Sequence, residues 1–467
     1  MKLSSSDQAT VTPLQKITLE HWQDICIVLL MGILLYVGCS WQIFRTNTDV
    51  AKYECYAVAF WQGTEAFKSL PAGQCDFALG KNPSFVSSAP STKEIVRFLS
   101  QAGMPSWLTD QIAAQFPTQS FHALPHEYPL LNIFVFSLTL TAPIFFSQIA
   151  YAVWMILLAT AIYLVLLRYR SRGAAVACAL YFVAGGWGTL AGRYDIVPAA
   201  FTLFALLCAV KNRWNWAFTL LAVATLLKFY PVLLLPFFLL AQQKTTLGSW
   251  YSLRRWVPLA IFVALCCIVM GVSLFLSVEG TLAPFFYFVG RPIQVESFAS
   301  SLLWLLDLLT GQAQSYAYTF GSLNVVSPFA GHVGSVISLM EVAGVLYLLW
   351  LQWRGKVDLA GATLITLLLI LLTGKVFSPQ YIVWVIPILA YVGRAKWRWL
   401  IVSSILCLLT TAIYPHIYTQ TNLLNVPYLP VFYPTVTMRN FLLLGLALAL
   451  FIHYSRRKPA TTEKAEA

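Results

Sequence analysis

Arg45-Thr-Asn-Thr-Asp-Val-Ala-Lys-Tyr-Glu-Cys-Tyr-Ala-Val-Ala-Phe-Trp-Gln-Gly63 follows without a break on an apolar run over residues 24–44. That run has the roughly 20 residues needed to cross a bilayer. The junction therefore fixes the environment of everything after it. Asp49 falls just outside the hydrocarbon, at the mouth of a membrane domain. A carboxylate there can act on something held at the membrane surface. A single Asp ahead of a helix-like segment is also what a solvated loop or a helix N-cap looks like. The residues that topology places beside it decide between these.

The chain of 467 residues is 59% hydrophobic and 10% charged. A soluble protein carries about 25% charged residues. The composition is that of a polytopic membrane protein. The opening 23 residues are polar and the run after them has no small-residue cleavage site, so it reads as a retained first span rather than a signal peptide. The excess charge of +12 lies in short clusters between apolar runs, as membrane topology demands, and is not a nucleic-acid footprint. Of the nine cysteines, Cys55 and Cys75 share the first large loop and can pair if that loop is extracytoplasmic. The other seven fall in apolar runs as packing residues. There is no CxxC or HExxH spacing and no Walker or GxGxxG loop, so no metal or nucleotide site is indicated.

Apolar runs at 24–44, 148–168, 174–191, 196–210, 214–227, 230–241, 256–277, 334–352, 358–373, 381–393, 397–414 and 439–454 predict an all-α protein of about twelve transmembrane helices. Several runs are short for a span, and those over 196–241 predict kinked or partial helices buried among others. The positive-inside rule sets the orientation. Basic residues cluster at 168–172, 211–213, 244–255, 354–356, 394–398 and 456–458. With Lys2, Lys16 and Lys464 they place both termini in the cytoplasm. The loop 45–128 is nearly neutral and so extracytoplasmic. Residues 129–147, containing Pro143, then read as a helix at the outer interface. The loop before them adds amphipathic segments near 49–62 and 91–116. A second outer loop, 278–333, carries a further surface helix over 297–309. The organisation is one integral-membrane domain over 1–455, with 45–147 as its outer excursion, and a basic cytoplasmic tail at 456–467.

This topology gathers Asp49, His126, Glu127, Arg193, Asp195, Lys228, Arg291, Glu296 and Lys375 on the outer face. Ionisable residues at membrane depth usually face a cavity or pair with one another. Arg193, Lys228, Arg291 and Lys375 lie in short loops on the side where basic residues are disfavoured. Singly each could snorkel. Together they read as a site for a phosphate or diphosphate. Asp195, two residues from Arg193, can pair with it. His126 and Glu127 directly precede the interfacial helix and are placed to line the cavity. His122 and His126 lack a carboxylate cluster at metal spacing, so no metal is assigned. Glu341 reads as structural as readily as functional, and His332 reads as a satisfied structural histidine before a cavity-facing one.

A long loop after the first span, with an early Asp and interfacial helices, resembles the C-type glycosyltransferase superfamily. Gly192-Arg-Tyr-Asp-Ile-Val-Pro-Ala199, Leu227-Lys-Phe-Tyr-Pro-Val-Leu-Leu-Leu-Pro236, Gln294-Val-Glu-Ser297 and Lys375-Val-Phe-Ser-Pro-Gln-Tyr381 resemble glycosyltransferase family 87, the polyprenyl-phosphate-mannose-dependent α-mannosyltransferases. The likeness runs over about residues 24–455. It implies a C-type glycosyltransferase fold, a polyprenyl-phosphate hexose donor and a lipid or glycan acceptor. It also implies Asp49 as the base for an inverting transfer. The Asp-Asp or Glu-Asp doublet of some related superfamilies is absent, since Thr48 precedes Asp49. The four cations would hold the donor phosphate. His126, Glu127, Tyr230, Glu296, Gln380 and Tyr381 would meet sugar or acceptor hydroxyls. No cofactor, metal or nucleic acid is called for. The expected setting is a monomer in the plasma (inner) membrane, its site facing outward. The competing readings are a lipid-carrier flippase or transporter, and a polymerase or ligase of lipid-linked glycans.

Overall fold

The computed structural model describes residues 13–79, 90–115, 121–246, 251–311 and 314–458, and the side chains from Trp22 onward. Lys2, Lys464, the Lys16 side chain and residues 459–467 of the expected tail lie outside it. Each of the twelve apolar runs carries a helix. These are Pro13–Gly38, Ser147–Tyr169, Arg172–Gly186, Ile196–Val210, Trp214–Leu227, Leu235–Thr245, Leu253–Leu276, Ala330–Trp353, Leu359–Thr373, Ile382–Gly393, Trp397–Thr411 and Phe432–Arg456. Among the described residues five helical stretches are long and apolar enough to cross a membrane: Ile144–Tyr169, Leu253–Leu276, Ala330–Trp353, Trp397–Ile417 and Phe432–Arg456. This is a membrane-embedded, almost wholly helical protein.

The helices divide by burial. Leu253–Leu276 and Ala330–Trp353 are apolar yet mostly exposed, as lipid-facing helices are. Ile196–Val210, Leu359–Thr373 and Ile382–Gly393 are apolar all round and buried, the pattern of a membrane interior. The central helices are short. A helix of 15 residues such as Leu359–Thr373 rises only about 22 Å, against about 30 Å of hydrocarbon. Their ends explain the shortfall. Ile196–Val210 begins after Asp195, Trp214–Leu227 ends at Lys228, and Leu359–Thr373 ends at Gly374. All three boundary residues line one large cavity. Irregular backbone at membrane depth is tolerated where it borders such a cavity.

Three segments outside the twelve runs differ from the expectation. The Asp49–Trp61 helix does not lie on the interface: ten of its thirteen residues are buried. Ala51, Ala57 and Ala59 let it approach its neighbours, and Tyr53 stacks on Phe136 at 4.3 Å. The Cys55–Cys75 disulfide is present and fastens residues 63–79 to this helix. Beside it the Gln74 amide donates to Ala51 O (3.2 Å) and to Glu54 Oε2 (2.9 Å). Secondly, the Phe298–Thr310 helix buries its first turns, leaving Leu308 and Leu309 exposed. Thirdly, Ser315–Thr319 and Ser322–Val326 form an antiparallel hairpin, the departure from an all-α chain. Its two turn residues, Phe320 and Gly321, both have positive φ, as the tight primed turns of hairpins require. Phe-Gly is a poor signal for that turn, and the hairpin is invisible in hydropathy. Residues 129–147 are not one helix. They fold into short helices that bury Ile133 and Phe136 while Phe134, Phe145 and Phe146 stay exposed.

Burial pushes the Glu54 carboxyl above its ordinary range. The folded chain therefore binds the proton more tightly than the unfolded one. Stability then falls as pH rises from the unfolded value of about 4.3 through the raised one. Glu54→Gln keeps a partner for Gln74 and is expected to abolish that decline, which thermal denaturation of the purified protein across pH 4–8 would read.

Candidate functional site: a chamber of paired and unpaired charges

A cavity of about 780 Å³ opens among the ends of the short helices. Asp49, Glu127, Arg193, Lys228, Tyr230, Arg291, Glu296, Lys375, Gln380 and Tyr381 all line it. Of the residues anticipated for the site only His126 does not: it is exposed and is not part of the wall. His332 is likewise exposed and outside the wall, whereas Glu341 lies within it.

Asp49 is the first residue of its helix, and Thr48 is the N-cap. The Thr48 hydroxyl donates backward, to Gln42 O at 2.8 Å, so neither residue caps through its side chain. A carboxylate in the first turn is favoured by the helix dipole. Asp49 Oδ2 instead meets Arg193 Nη2 at 2.5 Å. Arg193 thus pairs with Asp49 rather than with its near neighbour Asp195. The turn that carries it passes close to the Asp49 segment because residue 192 is glycine. A Cβ there would come within 2.4 Å of Gln42 Oε1.

Asp195 takes two other donors, Lys228 Nζ at 2.5 Å and Trp384 Nε1 at 2.7 Å. Lys228 is closed in by rings. Its Nζ lies 4.6 Å from the centroids of Tyr381 and Trp384 and 4.9 Å from that of Tyr194. Trp384 is itself stacked between Tyr230 (4.3 Å) and Tyr381 (4.0 Å). Lys228 is an ion-paired, aromatic-boxed cation.

Arg291 and Lys375 differ: among the described residues neither has a carboxylate partner. Arg291 donates to Ser322 Oγ at 3.2 Å and lies over the Tyr287 ring, and its Nε is buried without a partner. Lys375 is exposed. The hairpin holds the two loops together. Val295 N donates to Leu323 O, Val325 N to Ile293 O, and Gln294 N to Lys375 O, while the Gln294 side chain accepts from Phe377 N.

Glu296 lines the chamber but its oxygens are already engaged. Oε1 accepts from Tyr418 at 2.8 Å and Oε2 faces Arg439 Nη1 at 3.4 Å. Arg439 is wholly buried, lies 3.9 Å over the Phe377 ring, and also donates to Glu296 O and Asn440 Oδ1. Burial pushes the Glu296 carboxyl up against the pull of Arg439. The structure gives Glu296 a holding role in place of the expected hydroxyl contact. Arg439 escaped the sequence reading, although an Arg-Asn pair inside an apolar run is a signal for a buried ion pair. Lys52, Tyr128, Tyr287, Tyr318 and Trp384 were also missed as wall residues. Glu127 presents a buried Oε1 with no partner.

Among the described residues no group of three or more His, Cys, Asp and Glu is placed to hold a metal ion. No family model and no curated protein matches the chain.

Proposed function

We propose that the protein is an inverting membrane glycosyltransferase. It would take a hexose, mannose by the resemblance above, from a polyprenyl-phosphate donor to a lipid or glycan acceptor. One observation carries the reading. A single chamber joins a carboxylate at a helix start to two cations without counter-ions, beside a wall that reaches lipid-exposed apolar surface. Phe288 and Val289, 68% and 71% exposed, belong to that wall. A phosphate with an isoprenoid chain needs both surroundings at once. Asp49 takes the proton of the acceptor hydroxyl as its oxygen attacks the anomeric carbon. The bond from that carbon to the phosphate oxygen breaks, and Arg291 and Lys375 receive the developing charge. Such a leaving group needs no general acid. All twelve helices then span, in a C-type glycosyltransferase arrangement, with the chamber on the outer side of the plasma membrane.

Purified protein incubated with radiolabelled polyprenyl-phosphate mannose and extracted lipids is expected to form a labelled product, and with the nucleotide sugar none. Movement of the lipid carrier across a vesicle membrane without product would favour the transport reading. A product made only from a diphosphate-linked donor would favour the polymerase or ligase reading.

The cations divide in their expected effects. Lys375→Ala and Arg291→Ala should each raise the KM for donor roughly ten- to hundredfold, the worth of one hydrogen bond to a charged group. Arg291→Lys should rescue little, since a point charge does not replace a fork. Lys228→Ala instead strands Asp195 and is expected to lower stability first. Wild-type donor dependence in both alanine variants would sink the phosphate assignment.

Orientation has its own test. In a cysteine-free background an impermeant thiol reagent applied to intact cells should label Lys68→Cys and spare Lys396→Cys. The reverse pattern would invert the topology.

A further inference from the structure

We infer that the donor phosphate switches on the base by taking its counter-ion away. The inference rests on the glycosyltransferase reading and concerns the regulation of that same site. The oxygen of Asp49 that faces Arg193 is occupied, at 2.5 Å, by a guanidinium N–H. An oxygen so occupied is badly placed to receive the acceptor proton, which would arrive along the same lone-pair direction.

The two ion pairs of the chamber are built differently. Lys228 is fixed: its partner Asp195 is also held by Trp384 and is 3% exposed, and three rings enclose the ammonium. Arg193 is not. Both sides of its pair are about one-fifth exposed to the chamber, 20% for Arg193 and 19% for Asp49. The guanidinium also meets the Tyr414 hydroxyl, but among the described residues no rings box it in, and its Nε is buried and makes no hydrogen bond. A buried donor without an acceptor is unfavourable, so the guanidinium is better satisfied by a ligand that offers several oxygens. A phosphate offers them, in the bidentate geometry that suits Arg.

The order of events follows. The donor phosphate docks on the unpaired cations, Arg291 and Lys375. It then draws Arg193 to its remaining oxygens. Asp49 is left free to take the acceptor proton. The acceptor oxygen bonds to the anomeric carbon, and the electron pair of the broken carbon–oxygen bond leaves with the phosphate. The phosphate now carries one more negative charge, and Arg193 is already upon it. Without donor, Arg193 keeps the base engaged. The device couples activation to occupancy, and it acts on Arg193 and not on Lys228.

The test reads the carboxylates rather than turnover. The full-length protein in lipid nanodiscs is treated with a water-soluble carbodiimide and an amine, with and without a short-chain isoprenyl phosphate. Labelled peptides are quantified by mass spectrometry, and binding of the phosphate is followed separately by a thermal shift. Labelling of Asp49 is expected to rise roughly two- to fivefold, the worth of one partly exposed ion pair, while Asp195 stays unchanged. Arg193→Gln should label at the raised level without any phosphate, and in that variant the phosphate reports shielding alone. If the phosphate binds and Asp49 labelling in the wild type does not rise toward that shielded level, the coupling is wrong and the site reading stands. If the phosphate does not bind at all, the site reading falls and the coupling with it.

Discussion

Asp49→Asn is expected to lower turnover by roughly 10²–10⁴-fold, the usual worth of a positioned general base. The amide keeps the size of the carboxylate and its oxygen can still accept from Arg193, but it takes no proton near neutral pH. Donor binding should survive, since Arg291 and Lys375 are untouched. It should tighten modestly, because Arg193 loses its counter-ion and is left for the phosphate. Stability should change little. Thr48 occupies the N-cap, so the variant forfeits the favourable charge in the first turn, about 0.3–1 kcal/mol, and the ionic part of the partly exposed Arg193 contact, about 0.2–1 kcal/mol. A steady-state assay at saturating donor, with a thermal shift for the bound phosphate lipid, reads both quantities. Near-normal turnover would remove Asp49 from the chemistry and direct attention to Glu127, whose buried Oε1 has no partner.

Arg439→Met is expected to be the most destabilising single change, by about 3–5 kcal/mol, because it leaves a buried carboxylate without its cation. Glu296 is 1% exposed and Arg439 fully buried, so neither can turn to water. Glu296→Gln combined with Arg439→Met should recover part of the loss, since the glutamine oxygen can still accept from Tyr418 and no charge remains inside. A double-mutant cycle in detergent-purified protein, read by thermal or denaturant unfolding, isolates the coupling. A cycle that sums to the single effects would show that the two residues do not act as a pair. The damage should spread to function as well. Glu296 stands at the end of the loop that begins at Arg291, and its backbone carbonyl accepts from both Arg439 and Asn440.

The twelve helices were legible because a membrane imposes a simple demand on sequence: long apolar runs with basic residues to one side. The same demand gathered most of the chamber. Asp49, Arg193, Lys228, Arg291 and Lys375 were brought together by asking which charges share a face, and they share one cavity. What hydropathy could not carry is who pairs with whom. Arg193 and Asp195 are neighbours in sequence, yet their partners are 144 and 33 positions away (193 − 49 and 228 − 195). The buried pair of Glu296 and Arg439 spans 143 positions. Such contacts are fixed by how helices pack. The hairpin was lost for a different reason. Its turn is closed by Phe320 and Gly321, and the usual Asn-Gly cue is missing. The Asp49–Trp61 helix was misplaced because its moderate polarity, read as amphipathic, in fact serves an interior of tyrosines and a buried Glu54. His126 is the immediate neighbour of Glu127 in sequence, and adjacent residues of an irregular loop need not line the same cavity.

The small hairpin sets a length. Its ladder runs from Ile293 through Leu323 and Val325, and the adjoining strand-like residue Gln294 grips Lys375 and Phe377. The two cations without counter-ions are therefore mounted on the jaws of a caliper whose opening is governed by backbone hydrogen bonds, not by flexible loops. A caliper selects by width. An anion that fits between the jaws is gripped at both ends, and a larger or smaller one touches a single jaw. Adding or removing one residue in the Phe320-Gly321 turn would shift the register of the ladder and flip alternate side chains to the opposite face.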